Sequence, residues 1–460
     1  MARLKSSLLS AHRHIDSVPM LLALAAVAGA LGGLGAVCLH FLLGLFHNAF
    51  FLGRIDFSYD PRQHTPPSPW GAGTILAPVL GGLVSVFLTR RFAPASQGSG
   101  VPDMLLSIFY HRGHVHPDQA FFQPIATAFS IGSGGSGGRE GPSMHIGAAL
   151  ASGLARMLYL PARSHIALVA CGAAAGIAAA FNTPWGGWLF GLEIVTLEWS
   201  PPVIIAVLIA AWSGTLIRRL VLGNFQLLPL GAANLGTPQD WWVCLPLGVL
   251  TAFLAWAFIV GLRRCRNSLE KIPGNIYLHH ALAMLLLGII MYSFFLWTGH
   301  YTVGGIGYGT VSDLFSGSFP PAGALFALLA AKFIATVLTL GTGGSGGIFS
   351  PALLLGAMLG GLASTLLAAM GVLAPPALWI LAGMGGMIAA TDGSIFGSTI
   401  MILEMTGCPG MVVPVMLTAI VAYAVRRRLL SQSAYTWALA EGSWPVPENG
   451  YARVWRRWRQ

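Results

Sequence analysis

The chain has 460 residues, 55% of them hydrophobic and 9% charged, with a formal net charge of +10. Soluble domains carry about 25% charged residues, so this composition excludes an ordinary soluble enzyme. The excess basic residues stand beside apolar runs, which points to a lipid bilayer and its anionic surface and against a nucleic-acid partner.

Residues 1–18 are a polar segment containing Arg3, Lys5 and Arg13, expected in the cytoplasm. A first membrane repeat is predicted over 19–222, with apolar runs at 19–46, 75–88 and 203–220. The first run is too long for a signal-peptide core and lacks a clear cleavage site, so it reads as the first membrane helix. Residues 171–190 read as paired short helices around Asn182-Thr-Pro184. A linker with turn signals follows at 223–239. A second membrane repeat is predicted over 240–430, with runs at 241–262, 280–297, 325–340 and 411–425. Arg263, Arg264, Arg266 and Lys271 read as a mid-chain loop, and Arg426, Arg427 and Arg428 end the last run. The tail, 431–460, leaves no room for an accessory domain. The positive-inside rule places the basic segments and both termini in the cytoplasm. The expected fold class is therefore an all-α polytopic membrane protein with many tilted and broken helices.

Cys38, Cys171, Cys244, Cys265 and Cys408 are scattered without C-x-x-C spacing, so neither a metal site nor a disulfide framework is expected. His111, His114, His116 and Asp118 read as a solvated loop rather than a metal cluster. No cofactor is expected. Asp392, between small apolar residues, has no sequence rationale.

The halves are related. Gly132-Ser-Gly-Gly-Ser-Gly-Gly-Arg-Glu-Gly-Pro142 returns as Gly341-Thr-Gly-Gly-Ser-Gly-Gly-Ile-Phe-Ser-Pro351, identical at seven of eleven positions and 341 − 132 = 209 residues later. A second match, Gly172 to Glu193 with Gly383 to Glu404, keeps an offset of 211 and pairs Leu192-Glu193 with Leu403-Glu404. Broken helices at matching places in two halves point to a polar solute held at mid-depth.

Three Gly/Pro motifs stand at predicted helix starts: Gly98-Ser-Gly-Val-Pro102, Gly138-Arg-Glu-Gly-Pro142 and Gly347-Ile-Phe-Ser-Pro351. Glycine lets the backbone turn, and proline begins the helix where no N–H is needed. The orphan amides and positive dipole end of such a helix bind anions. Partial charges bind an anion weakly enough to release it, as a conduction pathway needs. A Walker-type phosphate loop is excluded, since the lysine is absent. Glu140 occupies the first copy where Phe349 occupies the second. An intramembrane carboxylate is by default a functional group. Ionised, it would fill an anion site; protonated, it would leave, acting as gate and proton carrier. A structural helix cap is the plainer alternative. An intramembrane acid/base enzyme is a distant one, with His145 as the one available second group.

These motifs resemble those of the CLC family of chloride channels and chloride/proton exchangers, in a bacterial form without CBS domains. The resemblance also takes in Phe181-Asn-Thr-Pro184, Leu403-Glu-Met-Thr406 and Tyr435, and covers about residues 19–440. It implies an inverted-repeat fold, a homodimer with one pore per subunit, and a bacterial inner membrane. It implies that Ser99, the backbone amides of Ile348 and Phe349, and the Tyr435 hydroxyl bind chloride, with Gly98, Arg139 and Gly141 beside them. Glu140 becomes the external gate, and other small anions and protons join chloride as partners. Exchangers usually carry a Glu-Glu pair whose second acid relays protons; here it reads Glu193-Ile194. The expected function is chloride/proton antiport gated by Glu140, with Glu193 as a candidate proton group. A passive or weakly coupled chloride pathway is the alternative, because isoleucine carries no proton.

Overall fold

The computed structural model describes residues 17–93, 100–196, 198–230, 236–317, 321–371, 375–442 and 444–445. It is helical throughout. The first half holds α1 (Val18–His47), α2 (Ala77–Phe92), α3 (Val101–Tyr110), α4 (Pro117–Gly132), α5 (Glu140–Met157), α6 (Ala162–Phe181), α7 (Pro184–Phe190) and α8 (Pro201–Leu222). The second holds α9 (Cys244–Lys271), α10 (Ile276–Thr298), α11 (Tyr308–Phe315), α12 (Ala322–Gly341), α13 (Phe349–Ala369), α14 (Pro376–Asp392), α15 (Phe396–Thr406) and α16 (Val412–Leu429), followed by α17 (Trp437–Glu441). Among the described residues, nine helical segments are long and apolar enough to cross a membrane. The protein is a multi-span membrane protein.

The apolar runs all become helices, with two differences from the sequence reading. Arg263, Arg264, Arg266 and Lys271 are not a loop but the last two turns of α9. Arginine and lysine are good helix formers, and their long stems reach from a helix end to the polar surface. Residues 171–190 are not two short helices: α6 runs 20 residues to Phe181, Asn182 turns the chain with φ +61°, and only α7 is short.

Reciprocal contacts show how the halves meet. Gly138 N–H donates to Gly347 O (2.8 Å) and Gly347 N–H to Gly138 O (2.6 Å), in an antiparallel bridge between the two motif copies. Ser136 bonds Thr336, and Ser345 bonds Thr127, each at 2.8 Å. Each residue thus meets the counterpart of its partner, at the 209-residue offset. That is the signature of a two-fold relation, with the two motif copies running antiparallel where they meet.

Glycines set the closest helix approaches. A methyl group on Gly33 would overlap the carbonyl oxygen of Gly214, joining α1 to α8 backbone to backbone. Small residues at such crossings are the usual membrane packing device. Gly33→Ala is expected to lower thermal stability in detergent, since overpacking costs about 1–3 kcal/mol. An unchanged unfolding temperature would contradict this close approach.

Candidate anion-binding site

The bridge between Gly138 and Gly347 brings the N-termini of α5 and α13 face to face. Glu140, at the first position of α5, is fully buried and reaches across to the other helix end. Its Oε1 accepts from Phe349 N–H at 2.6 Å, and its Oε2 accepts from the Ser350 hydroxyl at 3.0 Å. Tyr308 bonds that hydroxyl at 2.8 Å, and as Ser350 donates to Glu140, Tyr308 is the donor here. The carboxylate therefore occupies the place an anion would take at a helix N-terminus. Both bridging glycines permit this: a methyl on Gly138 or Gly347 would overlap the Glu140 carboxyl group.

Two cavities approach the contact. One, of about 480 Å³, is lined by Arg139, His40, Tyr59, Asp60, Arg62 and Arg218. The other, of about 840 Å³, is lined by Ile348, Arg266, Lys271, Ala434 and Trp437 among others. Arg139 precedes Glu140 and Ile348 precedes Phe349, so each cavity is lined by the residue next to one partner of the carboxylate–amide contact. Arg139 is also tied down, donating to Ala180 O (2.8 Å) and His40 Nδ1 (3.2 Å). Gly141 is buried in the first turn of α5. Around Phe349 stand the rings of Phe181 (4.8 Å between centroids) and Phe190 (5.9 Å), and Tyr435 lies against Phe190 at 6.5 Å.

Gly98 and Ser99 lie outside the described residues. The end of their motif is described: Gly100, with φ +72°, caps α3, and His145 Nδ1 donates to its carbonyl at 3.0 Å. Tyr435 is buried, and its hydroxyl donates to Asp392 Oδ2 at 3.3 Å. That contact gives Asp392 the account its sequence context lacks. His111, His114 and His116 fall in the turn before α4, while Asp118 is on that helix. Among the described residues no three acids, histidines or cysteines are grouped to hold a metal.

Glu193 lies on a wide π-type turn, Gly191–Val195. Its carboxylate accepts from Phe396 N–H and Gly397 N–H, each at 2.9 Å, and from the Ser394 hydroxyl. Glu404, its counterpart at offset 211, accepts from Gly186 N–H (2.7 Å) and Trp185 N–H (3.3 Å). Each acid caps the short helix of the other half. Ile194 packs its apolar side chain against the core.

Sequence reasoning missed Ser350 and Tyr308. Ser350 was within reach, as the one hydroxyl in the second copy where the first has Gly141.

The family model "Voltage gated chloride channel" matches residues 81–427. A ClcB-like chloride channel protein of Ralstonia nicotianae is 32% identical over 381 residues, 81% of this chain and 86% of that protein. The H(+)/Cl(-) exchange transporter ClcA of Vibrio parahaemolyticus is 28% identical over 381 residues, 80% and 79%. Among solved structures, a slow cyanobacterial Cl−/H+ antiporter superimposes with TM-score 0.77 at 22% identity, covering 92% of this chain and 97% of that one. A CLC-type fluoride/proton antiporter gives 0.74 at 21%, covering 91% and 97%. The sequence match and the shared fold agree, and the chain belongs to the CLC family of voltage-gated chloride channels and transporters, which are not enzymes.

Proposed function

We propose that this protein moves chloride across a bacterial inner membrane in exchange for protons, with Glu140 as both gate and proton carrier. The observation that carries the reading is the Glu140 carboxylate seated on the Phe349 amide, with a cavity lined by the residue next to each. Relatives named as H+/Cl− exchangers support it. An ionised carboxylate binds the helix end as an anion does, through a charge-assisted hydrogen bond. A proton on Glu140 removes that charge and weakens the bond. The side chain then leaves, and chloride takes the amide. Ser99, Ile348 and Tyr435 complete its coordination in this reading, with Gly98, Arg139 and Gly141 shaping the surroundings.

Orientation follows from charge. The basic runs that end α9 (Arg263, Arg264, Arg266, Lys271) and α16 (Arg426, Arg427, Arg428) mark the cytoplasmic side by the positive-inside rule. Arg266 and Lys271 also line the larger cavity, so in this reading it opens inward and the smaller one outward. Two copies form a homodimer, each with its own pathway.

Passive chloride conduction is the second reading. Ile194 favours it, having no titratable atom where a proton relay would stand. Liposomes bearing the purified protein and an outward chloride gradient decide between them. Proton uptake against its gradient is the expected result. Chloride efflux without such uptake would leave conduction alone, and no chloride efflux above empty liposomes would overturn both readings.

A further inference from the structure

Glu140 is fully buried, so a titratable group between it and the larger cavity could carry a proton to it. Most buried candidates are firmly engaged. Glu193 and Glu404 cap helices. Lys332 donates to Val303 O and Gly305 O at 3.0 and 2.8 Å. His145 and His280 each bond through one ring nitrogen, to Gly100 O at 3.0 Å and to Thr342 at 2.7 Å, and leave the other buried without a partner.

Asp392 is different. It ends α14 and is 1% exposed. Its Oδ2 accepts one hydrogen bond, from Tyr435, and its buried Oδ1 has no partner. It makes no salt bridge among those described. Arg426, the nearest cation, directs its guanidinium to Ala390 O (2.6 Å) and Leu430 O (3.1 Å) instead. The other groups at this end of α14 are Tyr423 and Tyr435, and Glu193 through Ser394; Tyr435 lies against Phe190 and Phe190 against Phe349, whose N–H holds Glu140. A helix C-terminus opposes negative charge. A buried carboxylate with so little support is costly, and an apolar residue would avoid the cost. The place is also next to the larger cavity. Ala434, which lines that cavity, donates its N–H to Thr391 O at 2.8 Å, beside Asp392.

We propose that Asp392 is the proton-exchanging carboxylate between the larger cavity and Glu140. The inference rests on the antiport reading and deepens it. A hydronium ion in cavity water gives its proton to the Asp392 carboxylate, leaving water and a neutral acid. That acid passes the proton to the Glu140 carboxylate and recovers its own charge. Neutral Glu140 releases the Phe349 amide. Tyr435 is a positioning residue here. While Asp392 is charged it holds the Tyr435 hydroxyl and repels an approaching anion; once neutral it does neither.

The test is the proton-to-chloride flux ratio in liposomes for wild type, Asp392→Asn and Asp392→Glu. Asp392→Asn is expected to lower the ratio by at least about tenfold, read as a loss of proton-transfer capacity, while chloride efflux persists and shows a folded protein. Asp392→Glu is expected to restore coupling. Should the asparagine variant be inert, Asp392→Ser is read in its place. A wild type that moves no protons uphill overturns the antiport reading and this inference together. A wild type that couples, with Asp392→Asn coupling as tightly, overturns the inference alone. Failure of Asp392→Glu to restore coupling also overturns it, leaving Asp392 a structural partner of Tyr435.

Discussion

Glu140→Ala is expected to abolish uphill proton movement and to let chloride flow without it. The variant removes the one side chain that occupies the α13 helix end, leaving the Phe349 amide and the Ser350 hydroxyl without their acceptor. A hydrogen bond to a charged group is worth about 1.5–3 kcal/mol, and each 1.4 kcal/mol is about a factor of ten. The freed amide therefore favours an external anion by at least about tenfold over wild type. Alanine offers no titratable atom, so no proton crosses with the chloride. The measurement is paired chloride and proton flux in liposomes. Proton uptake against a gradient by this variant would remove Glu140 from the coupling mechanism.

Gly347→Ala is expected to act on the same gate from the other side. The three atoms nearest a methyl group there all belong to the Glu140 side chain. Gly347 is not among the glycines with positive φ, so alanine fits the backbone. Its N–H and carbonyl can still pair with Gly138. The substitution then displaces a flexible carboxylate and little else. Chloride efflux should rise about tenfold if one charge-assisted hydrogen bond is lost, and the proton-to-chloride ratio should fall. Gly346→Ala is the comparison, because its nearest neighbours are Leu340 and the Gly137 backbone. If Gly347→Ala matches wild type in both rate and ratio, the carboxylate does not gate from the position described.

The helices and the facing motif copies were legible in the sequence because both rest on local chemistry. Apolar runs of sufficient length become helices in lipid, and glycine before proline turns the chain into a helix start. Glu140 stood out for the same reason, as an acid in an apolar surrounding. What escaped depends on partners far along the chain. Glu193 meets Phe396 some 203 residues away, and nothing near Glu193 reveals that its oxygens are held by a helix of the other half. The matched pair Glu193 and Glu404 did hint at a shared structural duty. Asp392 and Tyr435 are 43 residues apart, and only the packing of the segment after α16 against the end of α14 joins them. The Arg263–Lys271 segment was misread because a charge cluster resembles a loop, although its residues favour helix.

The self-paired glycine bridge also limits how alike the two halves can remain. A glutamate at 349 would aim at the first turn of α5 just as Glu140 aims at that of α13. Two acids would then reach across the same pair of glycines, repelling each other and filling both helix ends. No vacancy would remain for a passing ion. Phenylalanine at 349, held among Phe181 and Phe190, avoids the collision. One half supplies the acid and the other supplies the amide it rests on. Two related halves thereby form a molecule with an intrinsic direction, the acid coming from one side of the bridge and its seat from the other.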